Sequence, residues 1–241
     1  MQAYNAKITM GGKYLPFYGW STVAPVDNYN MIGGSINFIE NYIKNTPVLA
    51  KYFSALPADS YHVTVCSIWS NGRSLLEHQK NFLLQNYSLD EAKNFYAQSQ
   101  QIGFFNPDWC MNNLLEKLEN VIPPGGVELI IEGVYFSGST MGISFSANSD
   151  TTKLDQCRDN SRSVAEINEG MIPYHLTLAY NYKNVDVDEV TPKLQELNNM
   201  LSGKKILLMK PIVSYFSDMK KFIPYTLARD MRSNEPPAPP F

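Results

Sequence analysis

The chain has 241 residues, 44% of them hydrophobic and 12% aromatic, with 20 Lys+Arg against 23 Asp+Glu. A formal net charge of −3 on so apolar a chain excludes intrinsic disorder, which needs low hydrophobicity and high net charge. The same balance offers no strongly basic face for duplex DNA, and the length suits one large domain or two small intimate lobes.

In chain order, residues 1–16 carry tandem glycines (Gly11, Gly12) and read as an irregular lead-in or short hairpin. Residues 17–26, FYGWSTVAPV, read as a strand ending at Pro25. In 35–56, Ile36, Ile39 and Ile43 recur at helical spacing, and Pro47 is expected to kink or divide the helix. A turn at 56–60 leads into YHVTVCSIW, 61–69, a strand with strict alternation. Residues 74–121 read as mostly helical, with a capping box at Ser88 and Glu91 and Pro107 in the first turn of a third helix. The run Pro123-Pro124-Gly125-Gly126 stops it. VELIIEGVYF (127–136) and MGISFSAN (141–148) form an expected hairpin, 150–170 is helix-compatible, and YHLTLAYNY (174–182) is a second strand. Residues 187–201 return to helix, 204–216 to strand, and 231–241 form a proline-rich tail with no core-forming pattern. Strands and helices in runs, rather than regular βαβ alternation, give an α+β class for a domain over 1–230.

Cys66, Cys110 and Cys157 make no CxxC pair, which argues against a disulfide framework or structural zinc. No signal-peptide pattern opens the chain and no run is long and apolar enough to span a bilayer. A cytoplasmic monomer without a membrane partner is expected, with leaderless export left open.

One long-range self-similarity stands out. Residues 61–65 read Tyr-His-Val-Thr-Val and 174–178 read Tyr-His-Leu-Thr-Leu, and these hold two of the chain's three histidines. With a side-chain period of two, His62, Thr64 and Cys66 share one face, and His175, Thr177 and Ala179 share another. If the strands meet at a cleft, two imidazoles and two hydroxyls converge. Two imidazoles on opposite sides of a phosphorus can divide general base and general acid, while the hydroxyls donate to non-bridging oxygens. A single His-x-Thr is an ordinary strand with a packed imidazole; the repeat of the whole five-residue pattern makes the pair a candidate site.

The two H-x-T-x motifs resemble those of the 2H phosphoesterase superfamily, which includes RNA 2′,3′-cyclic phosphodiesterases and 2′–5′ RNA ligase-like proteins. GKYLPFYGWSTVAP, ALPADSYHVTV and KPIVSYFSDMKKFIPY look like a branch of larger members, with Phe216, Asp218, Met219, Phe222 and Pro224 matching its closing segment. The resemblance implies a bilobed fold of two antiparallel sheets around a cleft, with helices outside. It also implies acid/base roles for His62 and His175, phosphate contacts from Thr64 and Thr177, and no metal or cofactor. The implied substrate is a small nucleotide or an RNA end. The helical region 74–121 departs from compact members and resembles an insertion.

Candidate substrate contacts are Tyr18, Trp20, Arg158, Arg162 and Tyr180: the arginines share a helix face before the second motif, and the aromatics could stack a base. His78 reads as a solvated helix position, and no histidine has metal-ligand spacing around it. Two readings compete with a phosphodiesterase. One is a binding-only nucleotide module on the same fold; the other is a metal-dependent hydrolase, for which ligands are wanting.

Overall fold

Eleven short strands and five helices run in mixed order through the residues that the computed structural model describes: 2–17, 19–27, 36–70, 88, 90, 108–168, 170 and 172–226. Most of the expected helical region, Glu91 of the expected capping box, Pro107, His78, Tyr18 and the tail lie outside the described residues. Strands β1 (Ala3–Asn5) and β2 (Ile8–Thr9) pair as a small ribbon. The other nine are β3 (Gly19–Pro25), β4 (Phe53–Ala55), β5 (His62–Ser70), β6 (Val127–Ser137), β7 (Thr140–Phe145), β8 (His175–Asn181), β9 (Lys205–Leu208), β10 (Ile212–Asp218) and β11 (Lys221–Pro224). They build one antiparallel sheet in the order β11-β10-β3-β5-β8-β7-β6-β9, with β4 also on β8. The α+β class holds.

The expected pair of separate sheets is instead one hydrogen-bonded ladder. Its halves meet through a single registered pair, Val63 opposite Leu176. Beyond that pair β5 diverges, and β4 takes over the same edge of β8, with Phe53 opposite Asn181 and Ala55 opposite Ala179. This open edge explains a correction. Helix was expected to run to residue 56, but backbone groups along the C-terminal half of β8 need partners, and 53–55 supplies them as strand. A second correction concerns 204–216, expected as one strand. Met209–Pro211 divide it into β9, beside β6 at one end of the sheet, and β10, beside β3 in the other half. Proline lacks the N–H that a continuous ladder requires.

The helices are α1 (Asn37–Asn45), α2 (Pro47–Ala50), α3 (Asp108–Asn120), α4 (Thr152–Ala165) and α5 (Val187–Leu201). Pro47 does divide the segment around it: Thr46 before it is extended, at φ −89° and ψ 106°, as pre-proline residues prefer. Ile36, Ile39 and Ile43 are fully buried, confirming the helical spacing. Helix α4 packs on β5 and on α3, and α5 on β6. Between sheet and helices lies the core, which takes Val63, Val65, Leu176 and Leu178 from the two motif strands.

Gly19 opens β3 opposite Ser70. A Cβ there would stand 2.5 Å from the Trp69 carbonyl oxygen and 2.4 Å from the Phe216 ring, so a glycine is what lets β3, β5 and β10 close together. We expect Gly19→Ala to lower stability by about 1–3 kcal/mol, the usual cost of overpacking. Urea unfolding monitored by tryptophan fluorescence measures this; an unchanged midpoint would mean the strands separate freely.

Candidate active site

The motif strands are neighbours in the sheet. With Val63 paired to Leu176 in antiparallel register, one step either way sets His62 opposite Thr177 and Thr64 opposite His175. Residues directly opposite share a sheet face. All four side chains therefore stand on one face at the join, each imidazole across from the other strand's hydroxyl. The four line a single cavity of about 490 Å³.

A bulge comes after each motif. Opposite β3, Val23 pairs with Thr64 and Thr22 with Cys66, leaving Val65 as the extra residue. Opposite β7, Gly142 pairs with Thr177 and Met141 with Ala179, leaving Leu178 as the extra residue. An extra residue inverts the in–out alternation beyond it. This corrects the expected face of Ala179, which is buried off the cavity wall with Tyr180 at the wall in its place, while Cys66 stays at the wall beside Ser67, mostly buried. The hydroxyl of Thr22, the partner of Cys66, meets Ser161 of α4 at 3.3 Å. A second bulge in β5, at Ile68, returns Ser70 to the cavity and Trp69 to the buried row.

The two imidazoles are held alike. Nδ1 of His62 lies 2.7 Å from the Ser60 carbonyl oxygen, and Nδ1 of His175 lies 3.0 Å from that of Pro173, each two residues earlier. A carbonyl only accepts, so Nδ1 carries the proton and donates it. In the neutral ring, Nε2 is then left with its lone pair. Burial pushes the His62 pKa down to about 4; the Ser60 hydrogen bond, next in size, opposes it, and His175 and Lys7 lower it by less. The Phe222 ring lies with its centroid 3.9 Å from that of the imidazole. His62 is thus a neutral acceptor at pH 7. Because the unfolded chain binds this proton at 6.5 and the folded chain refuses it until about 4, this group costs the fold stability as pH falls through that window.

Neither threonine hydroxyl has a protein hydrogen-bond partner among the described residues. Every described cavity residue that is charged at neutral pH is a cation: Lys7, Arg158 and Arg162. Lys7 Nζ sits 3.2 Å from the Tyr180 hydroxyl, 5.1 Å from the Phe17 ring centroid and the same from that of Tyr180. No group of three or more His, Cys, Asp and Glu side chains that could hold a metal occurs among the described residues.

Of the candidate substrate contacts, Arg158, Arg162 and Tyr180 line the cavity with the four motif residues. Trp20 does not, which corrects that expectation. It is 0% exposed on the inward row of β3, against Tyr215 and Tyr225 at ring centroid distances of 5.3 and 6.0 Å. Tyr18 lies outside the described residues. Sequence reasoning misses Lys7, Phe17 and Ser67, and finds Met219 and Phe222 as pattern residues without placing them at the cleft. Lys7 comes from the ribbon and carries no local signal, and the bulge hides Ser67. Tyr61, by contrast, packs in the core as its strand parity requires.

No family model matches the chain. It is 31% identical over 86 residues to uncharacterized protein 127L of Invertebrate iridescent virus 6, a match covering 36% of this chain and 36% of that protein. The chain thus matches about a third of that relative's length. Among solved structures, a conserved protein of unknown function from Agrobacterium tumefaciens str. C58 superposes with a TM-score of 0.59, at 16% identity, over 92% of this chain and 90% of that one. That likeness shows a shared fold. E. coli LigT in apo form gives a TM-score of 0.44 at 11% identity, over 87% of this chain and 95% of that one, too low to establish a common fold. No helix of the described residues is long and apolar enough to cross a membrane.

The depressed His62 pKa rests first on burial, so uncovering the ring should release it. We expect the His62 Cε1 proton to titrate near pH 4 by NMR, and Phe222→Ala to move that midpoint upward toward 6.5. A wild-type midpoint already at 6.5 would contradict this picture of the site.

Proposed function

We propose that the chain is a phosphodiesterase that cleaves a nucleotide or RNA-end phosphodiester by two-histidine general acid/base catalysis, without a metal. The observation that carries this reading is the pairing of two Nδ1-anchored imidazoles with two unpartnered threonine hydroxyls in one cation-lined cleft.

In the proposed reaction, neutral His62 accepts a proton at Nε2 from a water whose oxygen bonds to phosphorus. The bond from phosphorus to the leaving ribose oxygen breaks. His175, protonated at both nitrogens, gives its Nε2 proton to that oxygen. Thr64 and Thr177 donate hydrogen bonds to the non-bridging oxygens, where negative charge builds. The lowered His62 pKa leaves the ring neutral over the whole physiological range, so its Nε2 lone pair is available to accept the proton. Phe17, Tyr180 and Phe222 at the Lys7 end offer apolar rings on which a base could lie. A binding-only module on this fold would need no second imidazole with its Nε2 directed by a carbonyl, and so is the weaker reading.

Turnover of a 2′,3′-cyclic nucleotide should persist in excess EDTA. His62→Ala and His175→Ala should each lower kcat by about 10²–10⁴-fold, and the double variant should be scarcely worse than either. Thr64→Val or Thr177→Val should cost less, about 1.5–3 kcal/mol in kcat/KM. Binding without turnover in the wild type would favour the module reading. A folded His62→Ala variant with near-normal kcat would end the two-histidine mechanism.

A further inference from the structure

The cavity that holds the quartet is also lined by Ser67 and Ser70 of β5, by Arg158 and Arg162 of α4, and by Ile172 and Pro173 before β8. Arg158 is only 8% exposed yet part of the cavity wall. A guanidinium so deeply placed ordinarily has a carboxylate beside it, because an uncompensated buried charge is costly. Arg158 has none among the described ion pairs. Its Nε donates to the Val65 carbonyl oxygen at 3.0 Å, and its plane lies over the Tyr174 ring at 3.8 Å. Of the acids beside it on the helix, Asp159 is exposed, and Asp155 is engaged elsewhere: it accepts from Tyr174 at 2.9 Å and from Thr151 at 2.7 Å.

These contacts fix the guanidinium without neutralising it. The Nη groups have no protein acceptor among the described residues, and each is a donor in the planar fork that suits a phosphate. The anchoring carbonyl belongs to the bulge residue immediately after Thr64, so the guanidinium is tied to the backbone one residue along the strand from that threonine. Arg162, one helical turn further along α4, lines the same cavity. No carboxylate is among the described residues of the wall to repel a second anion.

We propose that Arg158 forms a second phosphoryl-binding site in the cleft, separate from the His–Thr quartet, which takes a phosphate of the ligand that is not cleaved. This rests on the phosphodiesterase reading for the first phosphate and narrows it. The favoured substrate is a nucleotide with a phosphate on its 5′ side as well as the diester under attack, as at an RNA end, rather than a plain nucleoside cyclic phosphate.

The test compares adenosine 2′,3′-cyclic phosphate with the same compound bearing a 5′-phosphate. We expect wild-type kcat/KM to be at least about tenfold higher for the second, carried by KM, as charge-assisted hydrogen bonds would give. Arg158→Lys, which keeps charge and loses the fork, should narrow that gap to under about threefold. If that variant does not fold, the wild-type comparison still decides. Equal kcat/KM for the two compounds overturns the second site while leaving the phosphodiesterase reading intact. If neither is turned over, calorimetric binding of both to the wild type separates the two claims. A tenfold affinity gap then upholds the site and sinks the catalytic reading; equal or absent binding overturns the site. Inorganic phosphate is the remaining arm. Competition by millimolar phosphate against the 5′-phosphorylated compound alone supports the site, and competition equal for both compounds contradicts it.

Discussion

The arrangement depends on one pairing, Val63 with Leu176, at which two half-sheets meet. A join one pair wide does two things. It sets the register that brings His62 opposite Thr177 and Thr64 opposite His175. It also lets the strands part immediately afterwards, so that a cavity opens along β5 instead of a closed ladder. A longer run of pairing would have kept the four groups adjacent but buried the space between the strands.

The bulges at Val65 and Leu178 complete that geometry. Each comes directly after a His-x-Thr and inverts the faces of the residues beyond it, so the same local device is used on both strands. Its products differ. On β5 it brings a serine to the wall; on β8 it brings Tyr180, which meets Lys7. The cavity thus has a quasi-symmetric centre and unlike flanking residues, among them aromatic rings with a lysine and a mostly buried arginine.

Much of the centre is legible in the sequence because strand periodicity is local. Tyr-His-x-Thr-x at 61–65 and 174–178 declares its faces without tertiary information, and the isoleucine spacing and Pro47 do the same for α1 and α2. What periodicity cannot carry is a shift of one residue. Unbroken alternation puts Ala179 in the cleft, and a bulge, set by pairing with a distant strand, takes it off the wall and brings Tyr180 there instead. Trp20 differs: its strand is legible, but nothing local says which face of β3 meets the cleft. That face is fixed by pairing of Ser21 with Ser67, a consequence of the bulge. Strand β4 reads as helix because its conformation is dictated by the open edge of β8, far along the chain. Lys7 has no signal at all, since it reaches the cleft through a ribbon whose placement is tertiary.

The central claim is that one phosphorus sits between the two Nε2 atoms. A crystal structure with a non-hydrolysable nucleotide phosphodiester bound is the most direct measurement. The account predicts a phosphate bracketed by Nε2 of His62 and Nε2 of His175, with the Thr64 and Thr177 hydroxyls on its non-bridging oxygens. A nucleotide bound elsewhere while the quartet stands empty, or one held by a single imidazole with the other turned away, would contradict it.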